Sequence, residues 1–167
     1  GPSAAGTVAA GASARGAGVD EPGDPITAGQ AFRWTGGVMT GLGTLEGDAS
    51  SSASDVSADG SVVVGHSDPD DGTPQAFRWT GGVMTGLGSL SDGGTSTANA
   101  VSGDGSVVVG QSDGLAFIWT AATGMQPLVS VLIAGGATGL DFATLYNATD
   151  ISADGLTVVG IRGSSAF

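Results

Sequence analysis

The fourteen residues QAFRWTGGVMTGLG fill positions 30–43 and return unchanged at 75–88, a shift of 45 residues. A looser copy opens with AFIWT at Ala116, and Ala166-Phe167 begins a fourth. Self-similarity at this period marks a chain of units that cannot bury an apolar face alone and must stack on their neighbours. No other feature restricts the fold as tightly.

Each unit divides into four short segments. The first alternates small residues up to one branched side chain: ASDVS at 53–57, ANAVS at 98–102 and ATDIS at 148–152. A turn follows in each copy, at 58–60, 103–105 and 153–155, and each contains Asp-Gly. That pair predicts a two-residue hairpin loop, because Asp tolerates positive φ and Gly has no Cβ to oppose it. The second segment is SVVVG at 61–65 and 106–110, LTVVG at 156–160, and more weakly TVAAG at 7–11. An unbroken β-branched run predicts a strand buried on both faces. In the third segment, AFRWT, strand alternation puts Phe32 and Trp34 on one face and Ala31, Arg33 and Thr35 on the other. The fourth, VMTGLG, follows Gly36-Gly37, another two-residue loop.

Followed through the chain, these segments predict 3, 4, 4 and 3 strands, fourteen in all. Four antiparallel strands in roughly 40–50 residues is the size of a propeller blade. The expected fold is therefore all-β, a propeller-like array of four-stranded antiparallel repeats of about 45 residues. It forms a single repeat domain, 1–167, with a partial repeat at 7–47, repeats at 48–92 and 93–134, and a closing partial repeat at 135–167. Helices do not suit Gly- and Val-rich segments this short. A β-solenoid is the alternative, but its coils pair in parallel over longer range, whereas two-residue turns join adjacent antiparallel strands.

Two regions depart from the repeat. The loop between the second and third strands shrinks from 13–30 to 67–75 to 112–115, a variability that belongs on an exposed rim. Residues 126–147 are an insertion, in which LVSVLIAGG reads as a helical turn or an apolar strap across the core.

Composition excludes several partners. Sixteen acidic residues against 4 Arg and no Lys give a net charge of −12, which argues against nucleic acid and anionic membranes. Its ordinary consequence is solubility. With 0 Cys there are no disulfides and no thiol chemistry, although secretion stays open to a chain long enough to hold a core. The apolar stretch at 128–134 falls far below the roughly 18 residues of a membrane helix, so no membrane insertion is expected. No secretion signal is visible, so any such segment is expected to have been removed. Gly1-Pro2 reads as a protease-cleavage scar and is left out of the fold.

The repeat resembles that of the extracellular HAF-repeat proteins, named for a His-Ala-Phe tripeptide that opens an aromatic strand. The matching stretches are QAFRWTGGVMTGLGTL, SASDVSADGSVVVG, QAFRWTGGVMTGLGSL and TANAVSGDGSVVVG, and the resemblance runs from Thr7 almost to the end. YNATDISADGLTVVG, after the insertion, is similar to the atypical closing repeat of that family. The eponymous His is replaced by Gln30, Gln75, Leu115 and Ser165. The resemblance implies a bacterial, exported, often autotransporter-associated surface protein, and it implies no chemistry.

The residues themselves offer little chemistry either. His66 closes a strand beside Ser67 and Asp68, but no nucleophile elbow accompanies it, and a solvated strand-end His accounts for it. Paired carboxylates abound, yet most Asp residues occupy turns that explain them. No catalytic residue is expected, and the chain is read as non-enzymatic. Asp68, Asp70 and Asp71 crowd a Gly-containing loop with the hard oxygen donors that Ca²⁺ takes, and Asp20, Glu21 and Asp24 lie in the equivalent loop. One spacer and the bidentate Glu of calcium loops are missing, so a solvated acidic loop is the competing and preferred account.

Trp34, Trp79 and Trp119 recur once per unit as sugar-stacking residues would, but they share a face with Phe32, Phe77 and Phe117 and suit packing between blades. Arg33 and Arg78 point the other way, toward Asp residues of a neighbouring unit, and Ile118 breaks that series. The expected role is a structural or adhesive module at the bacterial cell surface, with a carbohydrate-binding module, Ca²⁺-assisted, as the alternative. Expected partners are a surface protein or glycan, or further copies joined through open strand edges.

Overall fold

Short branched runs separated by glycines become strands along the whole chain. The computed structural model describes residues 9–12, 19–20, 24–25, 29–138, 140 and 143–164. The first unit comprises β1 (Ala9–Ala12), a separate two-stranded ribbon of β2 (Val19–Asp20) and β3 (Asp24–Pro25), then β4 (Ala31–Thr35) and β5 (Val38–Gly41). Its sheet has the order β1-β4-β5. The second unit is a four-stranded meander of β6 (Ser50–Val56), β7 (Val62–Asp68), β8 (Gln75–Thr80) and β9 (Val83–Gly86). The third repeats it with β10 (Ser96–Val101), β11 (Val107–Ser112), β12 (Leu115–Thr120) and β13 (Gly124–Pro127). A two-turn helix, α1 (Leu128–Ala134), leads to the pair β14 (Ala143–Ile151) and β15 (Val158–Ser164). All pairings are antiparallel. The third strand expected of the closing unit, from Ala166, lies outside the described residues.

Successive sheets pack face to face, and β7 shows how the sequence achieves it. Val63 points back into a cluster with Ala31 and Leu42 of the first sheet, while Val62 and Val64 point forward into a cluster with Ala98 and Val108 of the third. All three valines are buried, as a β-branched run between two sheets must be. The aromatic strand obeys its predicted alternation: Phe77 and Trp79 face the first sheet and Ala76 faces the third. A third cluster joins Val109 and Ala116 to Ala148 and Ile151 of the last pair, with Leu128 of α1 beside them. The insertion at 126–147 thus supplies a short helix over the last seam. Among the described residues, no helix is long and apolar enough to cross a membrane.

The turns divide into two kinds, and one expectation fails. Gly36-Gly37, with φ of 58° and 88°, is a two-residue loop between Thr35 and Val38, as predicted. The Asp-Gly pairs at 59–60, 104–105 and 154–155 are not two-residue loops. Ser57 N–H bonds Val62 O at 2.9 Å and Gly60 N–H bonds Ser57 O at 2.9 Å, which leaves residues 58–61 as the loop. Only Gly60 has positive φ, 73°, so Asp59 is needed for its carboxylate and not for its backbone. The two-residue Asp-Gly loop occurs instead at Asp113-Gly114, with φ of 52° and 78°, in the unit whose variable loop has shrunk to nothing else.

The glycine closing each Val-rich run has a packing cause. The first and second strands are bulged at equivalent places, between Ala53 and Asp55, Ala98 and Ala100, and Ala148 and Asp150. Opposite each bulge the backbones approach closely. A Cβ on Gly65, Gly110 or Gly160 would collide with the carbonyl oxygen of Ser52, Thr97 or Asn147 respectively.

Candidate functional site

The repeated polar side chains converge on the seams between sheets. Ser51 Oγ accepts from Ala31 N at 2.9 Å and donates to Gly43 O at 2.6 Å, tying the second sheet to the first. Ser96 does the same one unit on, accepting from Ala76 N at 2.9 Å and donating to Gly88 O at 2.5 Å. Ser67 accepts from Leu45 N at 3.0 Å, and Ser112 accepts from Leu90 N at 2.9 Å. All four serines are buried, where an unpaired hydroxyl is costly and a bonded one holds the neighbouring backbone in register. These residues were missed in the sequence. The signal was present, because both pairs lie 45 residues apart.

Arg33 and Arg78 also cross seams, but not to Asp residues. Arg33 Nη1 donates to Gly60 O at 2.9 Å, and Arg78 donates through Nε and Nη2 to Gly105 O at 3.2 and 3.1 Å. The acceptor in both cases is the carbonyl of the Asp-Gly turn in the next unit. The Arg33 guanidinium also stands 5.0 Å from the centre of the Trp79 ring, within cation–π range. In the third unit Ile118 takes this place and packs on the last apolar cluster instead. Asp55 Oδ2 accepts from Val101 N at 2.9 Å, a further bond from one opening strand to the next. The turns themselves form a ladder: Ala58 N–H bonds Gly103 O at 3.0 Å and Gly103 N–H bonds Ala153 O at 2.9 Å.

Each turn is organised around one carboxylate. Asp59 Oδ1 accepts from Ser61 N at 2.9 Å and from the hydroxyls of Ser57 and Ser61 at 2.8 Å each. These bonds favour the charged form, Ser61 N–H foremost, and lower its pKa from 3.8 to about 2. Asp104 is lowered to about 2 as well, chiefly by the Ser102 hydroxyl and then by Ser106 N–H. Asp154 is lowered by the Ser152 hydroxyl and Leu156 N–H. Asp113, in the shortened variable loop, holds the connection from β9 to β10 instead: the Ser91 hydroxyl and Thr95 N–H keep its carboxyl below the usual range, against some cost from burial. Low pKa values that arise from turn bonds describe structural carboxylates and not a poised acid or base.

The acidic loop after β7 is spread out. Asp68 Oδ2 lies 3.6 Å from His66 Nε2 and accepts from Ser50 Oγ at 3.3 Å. Asp71 Oδ1 caps Thr73, accepting from its N–H at 3.0 Å and its hydroxyl at 2.5 Å, which lowers the Asp71 pKa. The structure does not gather Asp68, Asp70 and Asp71, and among the described residues no group of three or more His, Cys, Asp or Glu is placed to hold a metal ion. A cleft of about 280 Å³ beside this loop is lined by Glu46, Asp48, Thr73 and Gln75. Asp20 and Asp24 are backbone partners in the β2–β3 ribbon, and Glu21 lies outside the described residues. Trp79 is buried among core residues and Trp119 packs against the core of the next seam, while Trp34 is half-buried. Compared with family models, with curated proteins and with solved structures, the chain finds no match.

Proposed function

We propose that this chain is a non-enzymatic structural or adhesive repeat module of an exported bacterial surface protein, its sheets following one another as propeller-like blades. One observation carries the reading: the repeated side chains bond or pack across seams. Ser51, Ser96, Arg33 and Arg78 bind the backbone of a neighbouring unit, and Phe77 and Phe117 fill the apolar seams. Such residues maintain a scaffold, which leaves contact with the outside to the loops that differ in length. The repeat's resemblance to extracellular HAF-repeat proteins supports the surface location. The ladder from Ala58 through Gly103 to Ala153 supports blades that meet along one line.

The loop between β7 and β8 is where adhesion is tested. Beads coated with the chain are expected to attach to protein- or glycan-coated surfaces. Replacing residues 68–74, which lie between the paired Ser67 and Gln75, by the two-residue Asp-Gly loop of the third unit is expected to abolish attachment with little loss of stability. Attachment that survives the graft, or turnover of a chromogenic hydrolase panel, overturns the proposal. Small-angle X-ray scattering tests the arrangement, since blades around an axis give a flat compact particle and solenoid coils give a rod.

A further inference from the structure

An Asp-Gly pair carries its own backbone chemistry, because glycine has no side chain to shield its nitrogen from the carboxyl before it. This chain has six such pairs, at 59–60, 71–72, 92–93, 104–105, 113–114 and 154–155. Ring closure between the two residues needs a carboxyl and a glycine nitrogen that are both free of hydrogen bonds.

Five of the six pairs have at least one of these groups tied. Gly60, Gly105 and Gly155 donate to the carbonyls of Ser57, Ser102 and Ser152 at 2.9, 2.8 and 2.8 Å, and the carboxylates beside them accept from N–H groups of the same turns. Those turn bonds also favour the charged carboxylate, whereas ring closure expels an oxygen of the neutral acid as water. Gly72 N–H bonds Pro69 O at 3.1 Å, and Asp71 caps Thr73. Asp113 Oδ1 accepts from Thr95 N–H at 2.9 Å, and its Oδ2 accepts from the N–H and hydroxyl of Ser91 at 3.2 and 2.8 Å.

Asp92-Gly93 differs. It forms the tip of a turn at 91–94, between β9 and β10, closed by Gly94 N–H to Ser91 O at 3.1 Å. Asp92 is exposed, and a Cβ on Gly93 would meet nothing within 4 Å. Among the described residues, neither the Asp92 carboxylate nor Gly93 N–H has a hydrogen-bond partner. The preceding unit carries Glu46-Gly47 in the same kind of turn, closed by Asp48 N–H to Leu45 O at 3.0 Å. There the longer side chain would have to close a larger ring.

We propose that Asp92-Gly93 is the site at which this protein spontaneously converts aspartate to isoaspartate. Gly93 N bonds to Asp92 Cγ and loses its proton, and a carboxyl oxygen leaves as water, which gives a cyclic imide. Water then adds to one of the two imide carbonyls. Opening at Cγ restores Asp92. Opening at the α-carbonyl leaves the main chain running through Cβ, with a free α-carboxylate beside it. Dehydration and hydration balance, and water is the sole co-reactant. The product lengthens the connection by one methylene between Ser91 and Thr95, both of which bond Asp113. Amide exchange at these two residues should therefore quicken as the product accumulates. The site stands on hydrogen bonding within the connection and does not depend on where the protein resides.

The test incubates the whole protein at neutral pH and body temperature, beside the free peptide SLSDGGTST, residues 89–97. Samples are mapped by mass spectrometry after digestion with an endoprotease that cuts before aspartate and not before isoaspartate. Residue 92 is expected to convert at least about fivefold faster than any other Asp-Gly pair, the effect of about one hydrogen bond that must break first. In urea that advantage is expected to vanish. Asp92→Glu copies Glu46 of the preceding turn, so it should keep the fold by circular dichroism and remove most of the methyl acceptance by an isoaspartyl methyltransferase. Conversion of the peptide without conversion of residue 92 in the folded protein overturns the proposal. Equal conversion at another pair overturns it as well, and so does an advantage that persists in urea, which would assign the effect to neighbouring sequence. Undiminished methyl acceptance in Asp92→Glu places the site elsewhere and overturns it too.

Discussion

The seam between the second and third sheets and the seam after the third start from the same residues and finish differently. In the first, Phe117 closes the apolar layer, Ser96 and Ser112 clamp the backbone, and Arg78 reaches the next turn. In the second, Ile118 stands in the place of Arg78, and Tyr146, 42% exposed, stands where Ser51 and Ser96 are buried. Its polar links include Asn99 Nδ2, donating to Asn147 Oδ1 at 2.6 Å and Ala148 O at 2.8 Å, beside the Gly103 N–H to Ala153 O bond of the turn ladder. Both seams bury the opening strand of the following unit, through Ala98 and Val101 in the first and Ala148 and Ile151 in the second. In the first, Phe117 of the aromatic strand is fully buried in the same cluster, and an aromatic ring contributes a large apolar area.

The largest expected effect follows from that difference. Phe117 is fully buried, and Phe117→Ala should lower stability by about 3–5 kcal/mol, read as a fall in urea midpoint at unchanged slope. A loss near 1 kcal/mol would mean that the interior seam is no better packed than the terminal one. A matched pair sharpens the contrast. Leu87 and Leu128 hold equivalent places and are 7% and 5% exposed, so burial alone gives them the same cost. Leu→Ala in cores costs about 2–5 kcal/mol, rising with the cavity left behind. Leu87→Ala opens a new cavity and should fall near the top of that range. Leu128→Ala enlarges a cavity of about 400 Å³ that Leu128 already lines and should fall near the bottom. Equal values break the comparison.

A smaller effect tests the polar clamps. Ser112→Ala leaves Leu90 N–H without its acceptor and should cost about 1–3 kcal/mol by thermal or urea unfolding. A loss well under about 1 kcal/mol would show that Ser112 does not clamp this seam.

The repeat and its four strands were legible because identical stretches and period-two alternation are properties of the chain itself, and the buried valines of β7 followed from them. The Asp-Gly turns were misread because a dipeptide signature ignores its flanks. Ser57 and Ser61 supply the donors that make Asp59 the anchor of a four-residue loop, while Asp113, with strand residues on either side, takes positive φ. The glycines after each Val run look like punctuation in the sequence and prove to be contact points opposite a bulge, which no local rule reveals. Strands β2 and β3, of two residues each, are too short to carry a periodic signal. Residues 128–134 form α1 without a side-chain cap or a charge in either end turn, so tertiary contact through Leu128 decides a question that propensity left open. The metal candidates were read from residue type alone, and the loop geometry that spreads Asp68 and Asp71 to different partners is not encoded in their spacing.

The smallest effect concerns pH, and it again sets interior units against the last. Asp59 and Asp104 each accept from two hydroxyls, whereas Leu156 stands where Ser61 and Ser106 supply the second, so Asp154 accepts from one. A carboxylate whose pKa is lowered on folding adds stability that is fully present above its ordinary value of 3.8 and is lost as pH falls toward about 2. The melting temperature should therefore hold steady above that window and decline through it. All three carboxylates lie at the surface, where solvent screening keeps the effect small. Replacing Asp59 and Asp104 together by Asn should lower the melting temperature at neutral pH and flatten the acid decline. Asp154→Asn should do less of both, because fewer bonds hold its charge. A variant at Asp154 that flattens the decline as much as the double variant would place the last turn on the same footing as the interior two.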